Sequence, residues 1–255
     1  MWRQVAIPSE HGGWSLTAEP VLLGLLVAWS WPGFALGLAA MVAFVARTPL
    51  KVVLVDGSRK RWLDRTRVAA GIVTVELVLI GLLALWAASR AESGRFWVPL
   101  ALAAPLVGVE LWFDMRSRSR RLVPELAGTL GIGSVVAAIV LVAVRPAALA
   151  IGLWVVVSAR AVAAIPYARA QVFRVHNRPI RLWHSDLAQL IAVAAVTVAW
   201  ALDAIPLAPV LTVAALAAFN VVAVRASVRR VVVIGLEQVA SGLAVVAVTA
   251  FSVLA

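Results

Sequence analysis

Residues Gly33–Val55 read GFALGLAAMVAFVARTPLKVVLV, and residues 56–67 continue DGSRKRWLDRTR. As a helix the first stretch rises about 34 Å, enough to cross a hydrocarbon core of about 30 Å. Its apolar residues run on without alternation, which argues against an outer-membrane strand. It closes on five basic residues, Arg59, Lys60, Arg61, Arg65 and Arg67. An apolar run that ends in such a cluster reads as a membrane helix ending on the cytoplasmic side.

The rest of the chain repeats this pattern. Of 255 residues, 63% are hydrophobic and 14% charged. A soluble domain is about half apolar and about a quarter charged, so a bilayer must take up the excess. Cysteine is absent, which excludes disulfides, thiolate metal sites and cysteine nucleophiles. Three histidines are too few for a multi-histidine metal cage. The opening residues, MWRQVAIPSEHGG, are polar and short, unlike a cleavable signal peptide.

Nine spans are expected in one all-α, polytopic membrane domain covering residues 1–255. They are Trp14–Trp31, Gly33–Val55, Val68–Ala88, Phe96–Met115, Leu122–Val144, Ala147–Ala168, Asp186–Ala201, Ala204–Arg225 and Val231–Leu254. The first and seventh are the short ones. The loops alternate in charge. Those after spans 2, 4, 6 and 8 carry Arg59 to Arg67, Arg116 to Arg121, Arg169 to Arg181 and Arg225 to Arg230; the others hold only Arg90, Arg95 and Arg145. The positive-inside rule then puts the N-terminus in the cytoplasm and the C-terminus outside, in the cell (inner) membrane. Tryptophans near both ends of the spans form an aromatic belt. Most of the net charge of +11 is thereby an orientation signal, and nucleic acid is not expected as a partner.

Ionisable groups inside spans cost about 2.5–3.5 kcal/mol each at mid-helix, so they mark candidate sites. Glu19, Arg47, Lys51, Glu76, Glu110, Asp114, Glu125, Arg160 and Glu237, with the amide Asn220, stand out within spans, mostly in the cytoplasmic half. They predict a polar cavity open to the cytosol under an apolar outer half. Pro8-Ser9-Glu10-His11-Gly12-Gly13-Trp14 places an acid and an imidazole beside span 1; alternatively it is an N-cap segment with Ser15 as the cap. Arg47 and Lys51, four apart, share a helix face and suit a phosphate or carboxylate. Glu110 and Asp114, also four apart, can hold Mg²⁺ or pair with Arg47, Lys51 or Arg118. Arg160 and Tyr167 share a face, Pro166 is expected to break or kink the helix beside them, and a long basic loop follows with Arg169 and Asn177. Glycines 128, 131 and 133 in span 5 allow close helix packing.

The segments Pro8–Trp14, Arg47-Thr48-Pro49-Leu50, Glu110-Leu111-Trp112-Phe113-Asp114, Pro124–Gly128 and Arg160–Arg169 resemble the YwiC-like family over most of the chain. A more distant resemblance is to UbiA-type intramembrane prenyltransferases. It implies a nine-helix bundle, a cytosol-facing cavity, working loops after helices 2 and 6, and an isoprenoid diphosphate whose tail lies in a lipid-accessible tunnel. Those enzymes hold Mg²⁺-diphosphate through two Asp-rich motifs. Here the first position has Arg47, Lys51 and only Asp56, and the second has Arg160, Tyr167 and Arg169 with no Asp. Cations stand where acids would hold the metal, and direct binding of the anion by Arg and Lys is the physical substitute.

The expectation is a protein that binds an anionic, isoprenoid or other membrane lipid and carries out group transfer on it. Arg47, Lys51, Arg160, Tyr167, Arg169 and Asn177 would bind, and His11, Glu10, Glu19 and Asp114 would serve as acid–base groups. Mg²⁺ at Glu110 and Asp114 is the only cofactor the residues offer. A permease for an anionic solute and a non-catalytic membrane subunit are the alternatives.

Overall fold

In the computed structural model, residues 11–116, 121–226 and 228–255 are described, the side chains of His11 and Gly12 excepted. Among them are nine α-helices and no strand: α1 His11–Val27, α2 Trp31–Ser58, α3 Asp64–Arg90, α4 Trp97–Met115, α5 Leu122–Val142, α6 Ala147–Val175, α7 Trp183–Ala201, α8 Leu207–Ala223 and α9 Val231–Leu254. A 3-10 turn, Gly94–Phe96, leads into α4. Seven of the helices are long and apolar enough to cross a membrane. The two shorter apolar ones are α1 and α8, of 17 residues each. The sequence expectation had chosen the first and the seventh.

The bundle is organised around α5 and α6, and small residues explain why. Of the apolar window of α5, 67% is buried, against 11% for α3. Without a hydrophobic drive inside lipid, small side chains allow backbones to approach and gain dispersion contacts. A Cβ at Gly24 of α1 or Gly33 of α2 would lie 3.0 Å from Ile139 of α5, so both helices close on that one side chain. One core joins Leu23, Val136, Val140, Leu153, Val156, Val196 and Val245 from α1, α5, α6, α7 and α9. A second joins Val21, Leu36, Ala40, Ala87, Phe96 and Ile139. Helix α3 packs on α2 and α4 packs on α5, with no extended contact between α3 and α4.

Four helices end in the same reverse turn. After α2, α5, α6 and α7, a non-glycine residue takes positive φ: Lys60 (53°), Val144 (58°), Asn177 (51°) and Asp203 (55°). Each donates its N–H three residues back while the next residue donates five back, as in Lys60 to Gly57 and Arg61 to Asp56, both 2.9 Å. This is the Schellman closure, which satisfies carbonyls that the helix end leaves bare.

Several boundaries differ from expectation. Ser15 is no cap, because α1 begins at His11. Pro166 does not end its helix, and α6 runs on for 29 residues. A proline inside a membrane helix is tolerated where neighbours re-satisfy the freed carbonyl. The long basic loops after spans 2 and 6 shrink to residues 59–63 and 176–182, because Arg65, Arg67, Arg169 and Arg174 lie in helices. Arginine is a good helix former, so the helices outrun their apolar stretches.

Candidate functional site

A groove of about 740 Å³ runs along the bundle between α1, α2, α3, α4 and α5. Leu36, Ala40, Leu77, Ile80, Ala84, Trp97, Leu100, Ala103 and Val107 line its length, while Arg47, Glu110 and Glu125 are its ionisable walls among the described residues and stand together at one end. From Trp97 to Leu111 along α4 the lining extends about 21 Å at 1.5 Å per residue. The groove is therefore apolar along its length and charged at one end. Since α3 and α4 flank it without packing together, that side is open laterally.

The charged end is built from three helices. Arg47 of α2 reaches α4, with Nη2 2.9 Å from Glu110 Oε1 and Nε donating to Asp114 Oδ2 at 3.2 Å. Lys51 Nζ lies 3.5 Å from Asp114 Oδ1. The four-residue spacing on both helices thus interlocks two cations with two acids. Asp114 is fully buried, whereas Glu110 keeps 13% side-chain exposure. Glu110 rests on Gly128 of α5, where a Cβ would come within 2.2 Å of its Cδ. At the rim Arg169 Nη1 is 3.3 Å from Glu125 Oε2. Helix α1 enters at this level: Gly13 sits against Phe44 and Val21 against Gly37, so its first turn lies beside Arg47. Glu10 and the His11 side chain lie outside the described residues.

Arg160 and Tyr167 share a face of α6, and that face turns away from the groove. Arg160, 5% exposed, donates from Nη1 to Gln238 Oε1 at 3.2 Å and from Nη2 to the Gln238 carbonyl of α9. Its Nη2 also lies 3.7 Å from Glu19 Oε1 of α1. Glu19 rests on Gly242, where a Cβ would lie 1.9 Å from Oε1. Tyr167 is fully buried, with its hydroxyl 3.5 Å from Glu237 Oε2 and accepting from Gln171 Nε2 at 3.2 Å. Glu237 is paired with Arg229.

The structure thus divides the expected ligand set. Arg47 lines the groove end, with Lys51 beside it on Asp114 and Arg169 on Glu125; Arg160 and Tyr167 meet α9 on the far side of α6. Asn177 is an exposed turn residue at positive φ, a conformation asparagine tolerates. Of the expected acid–base groups, Glu19 and Asp114 are buried in ion pairs. Glu110 and Asp114 both face Arg47, so their charge is already met and they do not fit a hydrated Mg²⁺. Among the described residues no three metal-ligating side chains gather.

Sequence reading missed Gln189 and Gln238, amides inside apolar runs whose polarity was the available signal, and Gln171, which it left in the basic loop after span 6. It also missed Gly242 as a carboxylate rest, for which a single sequence carries no signal. No curated protein and no solved structure gives a match. A family model described as "YwiC-like protein" matches residues 7–140, just over half of the chain and the part that supplies nearly every wall of the groove. On that match the chain belongs to the YwiC-like family.

Proposed function

We propose that this is a multi-pass inner-membrane protein that binds an anionic lipid, with the head group at Arg47, Lys51 and Arg169 and the chain along the groove. The observation that carries it is the groove itself: apolar for about 21 Å, charged at one end, and open between α3 and α4. All nine helices cross in this reading, with the basic end in the cytoplasm. The head group takes the place of Glu110, which has exposure and room to swing, while the buried Asp114 stays on Arg47. A guanidinium suits this exchange because its fork accepts carboxylate or phosphate alike. The UbiA likeness extends the reading to an isoprenoid diphosphate and to group transfer on it, with acid–base work falling to Glu10 and His11.

Lipid mass spectrometry of protein purified in mild detergent tests this, together with turnover assays on prenyl diphosphates. The wild type is expected to retain an anionic lipid that the R47A/K51A double variant loses. R225A, which removes a basic residue paired with Asp186 away from the groove, should retain it. Equal lipid content in all three would end the proposal.

A further inference from the structure

On the far side of α6 a cavity of about 10 Å³ lies between α6, α8 and α9. Its walls include Arg160, Asn220, Gln238 and Ser241, closed by Val213 and Leu216. That volume holds about one water-sized probe, and a buried water needs two to four polar partners. Here four polar side chains converge on it.

Three of them have capacity to spare. Arg160 Nε, in a side chain more than nine-tenths buried, has no hydrogen-bond partner among the described residues. Ser241 Oγ donates to the Glu237 carbonyl at 2.7 Å, leaving its lone pairs free. Asn220 gives one amide hydrogen to Gln189 Oε1 at 3.2 Å. An unmet guanidinium N–H in a dry cavity costs more than an immobilised water.

The cavity also lies in line with a polar stripe on α6. Arg174 Nη1 donates to Gln171 Oε1 at 3.5 Å, Gln171 to the Tyr167 hydroxyl at 3.2 Å, and Tyr167 to Glu237 Oε2 at 3.5 Å. Glu237 adjoins Gln238, which binds Arg160. From Arg174 to Arg160 this covers about 21 Å, from the basic end to the middle of the bundle.

We infer that the cavity is a resident hydration site. One water molecule bridges Arg160, Asn220, Gln238 and Ser241, and it exchanges with solvent at the basic end along the α6–α8–α9 seam. The Glu19–Arg160 pair is thereby in contact with water halfway across the bundle, on the opposite side of α6 from the groove.

Hydroxyl radicals made in place from water by pulsed X-rays test this on the intact protein in detergent. Val213, 2% exposed, should be oxidised at least about three-fold more than Val156 and Val196, which are as deeply buried in the apolar core. An N220L variant, checked for folding by its thermal transition, should bring Val213 down to the core level. If N220L does not fold, S241V serves the same purpose by filling the cavity. Oxidation of Val213 no higher than Val156 in the wild type, or unchanged in a folded variant, overturns the inference.

Discussion

Both sides of the bundle lay a glutamate on a glycine and meet it with an arginine, yet the two pairs stand in different surroundings. Glu110 rests on Gly128, faces Arg47 and borders an open groove. Glu19 rests on Gly242, faces Arg160 and is sealed between α1, α6 and α9. Side-chain exposure is 13% and 26% in the first pair and 6% and 5% in the second. The same three residue types therefore give a partly exposed pair where a cavity adjoins them and a buried one where packing closes over them. Desolvation decides the difference: a charge stripped of its partner is costly where bulk solvent does not reach it, and one bound water does not replace the partner.

The strongest way to break the comparison is to remove one arginine from each side. Arg160→Leu leaves Glu19 buried and unpaired, and should cost about 3–5 kcal/mol. The loss should show as a lower thermal midpoint in detergent, and Glu19→Gln in the same chain should restore much of it. Next come the glycines. Gly242→Ala drives a methyl into Glu19 with no free space beside it, an overpacking cost of about 1–3 kcal/mol. Gly128→Ala meets Glu110, which can swing into the groove, so its midpoint should fall less. Equal losses would show that the groove gives Glu110 no room.

Arg47→Ala, the counterpart of the Arg160 change, should cost less than Arg160→Leu, because Glu110 is partly exposed and Lys51 stays on the buried Asp114. On the proposed function, its larger effect should be the loss of retained lipid, read by mass spectrometry. The smallest effect sits where the two sides join, at Val144 between α5 and α6, with φ of 58°. A β-branched residue is strained there, and Val144→Gly should raise the midpoint by the equivalent of about 1 kcal/mol.

The all-helical architecture was legible because apolar length and alternating basic loops are local signals. The charged end of the groove was legible in part, since the four-residue spacings of Arg47 with Lys51 and Glu110 with Asp114 place each pair on one face. What a single sequence could not supply is which way each face turns. Arg160 and Tyr167 share a face, as their spacing requires, but that face meets α9 rather than α2. The direction depends on the rotation of α6 against α5, which small residues spread around both helices leave open. Helix ends were misplaced for a related reason. Arg169 and Arg174 read as loop by polarity, although nothing in their backbone preference stops a helix.

The clasp between α2 and α3 has a consequence for how the chain is made. Asp56 is fully buried and holds Thr66 at 2.6 Å and Arg65 at 3.0 Å, all within a dozen residues of sequence. Helix α3 rests on α2, and its outer face leaves Val78, Leu82 and Leu85 exposed. Every contact this hairpin needs is complete once Arg90 has left the ribosome. A loop this short costs little entropy to close. The two helices can thus enter the bilayer as one prefolded unit, with the buried Asp56 already paired, before α4 is synthesised. The groove is then assembled against a wall that already stands.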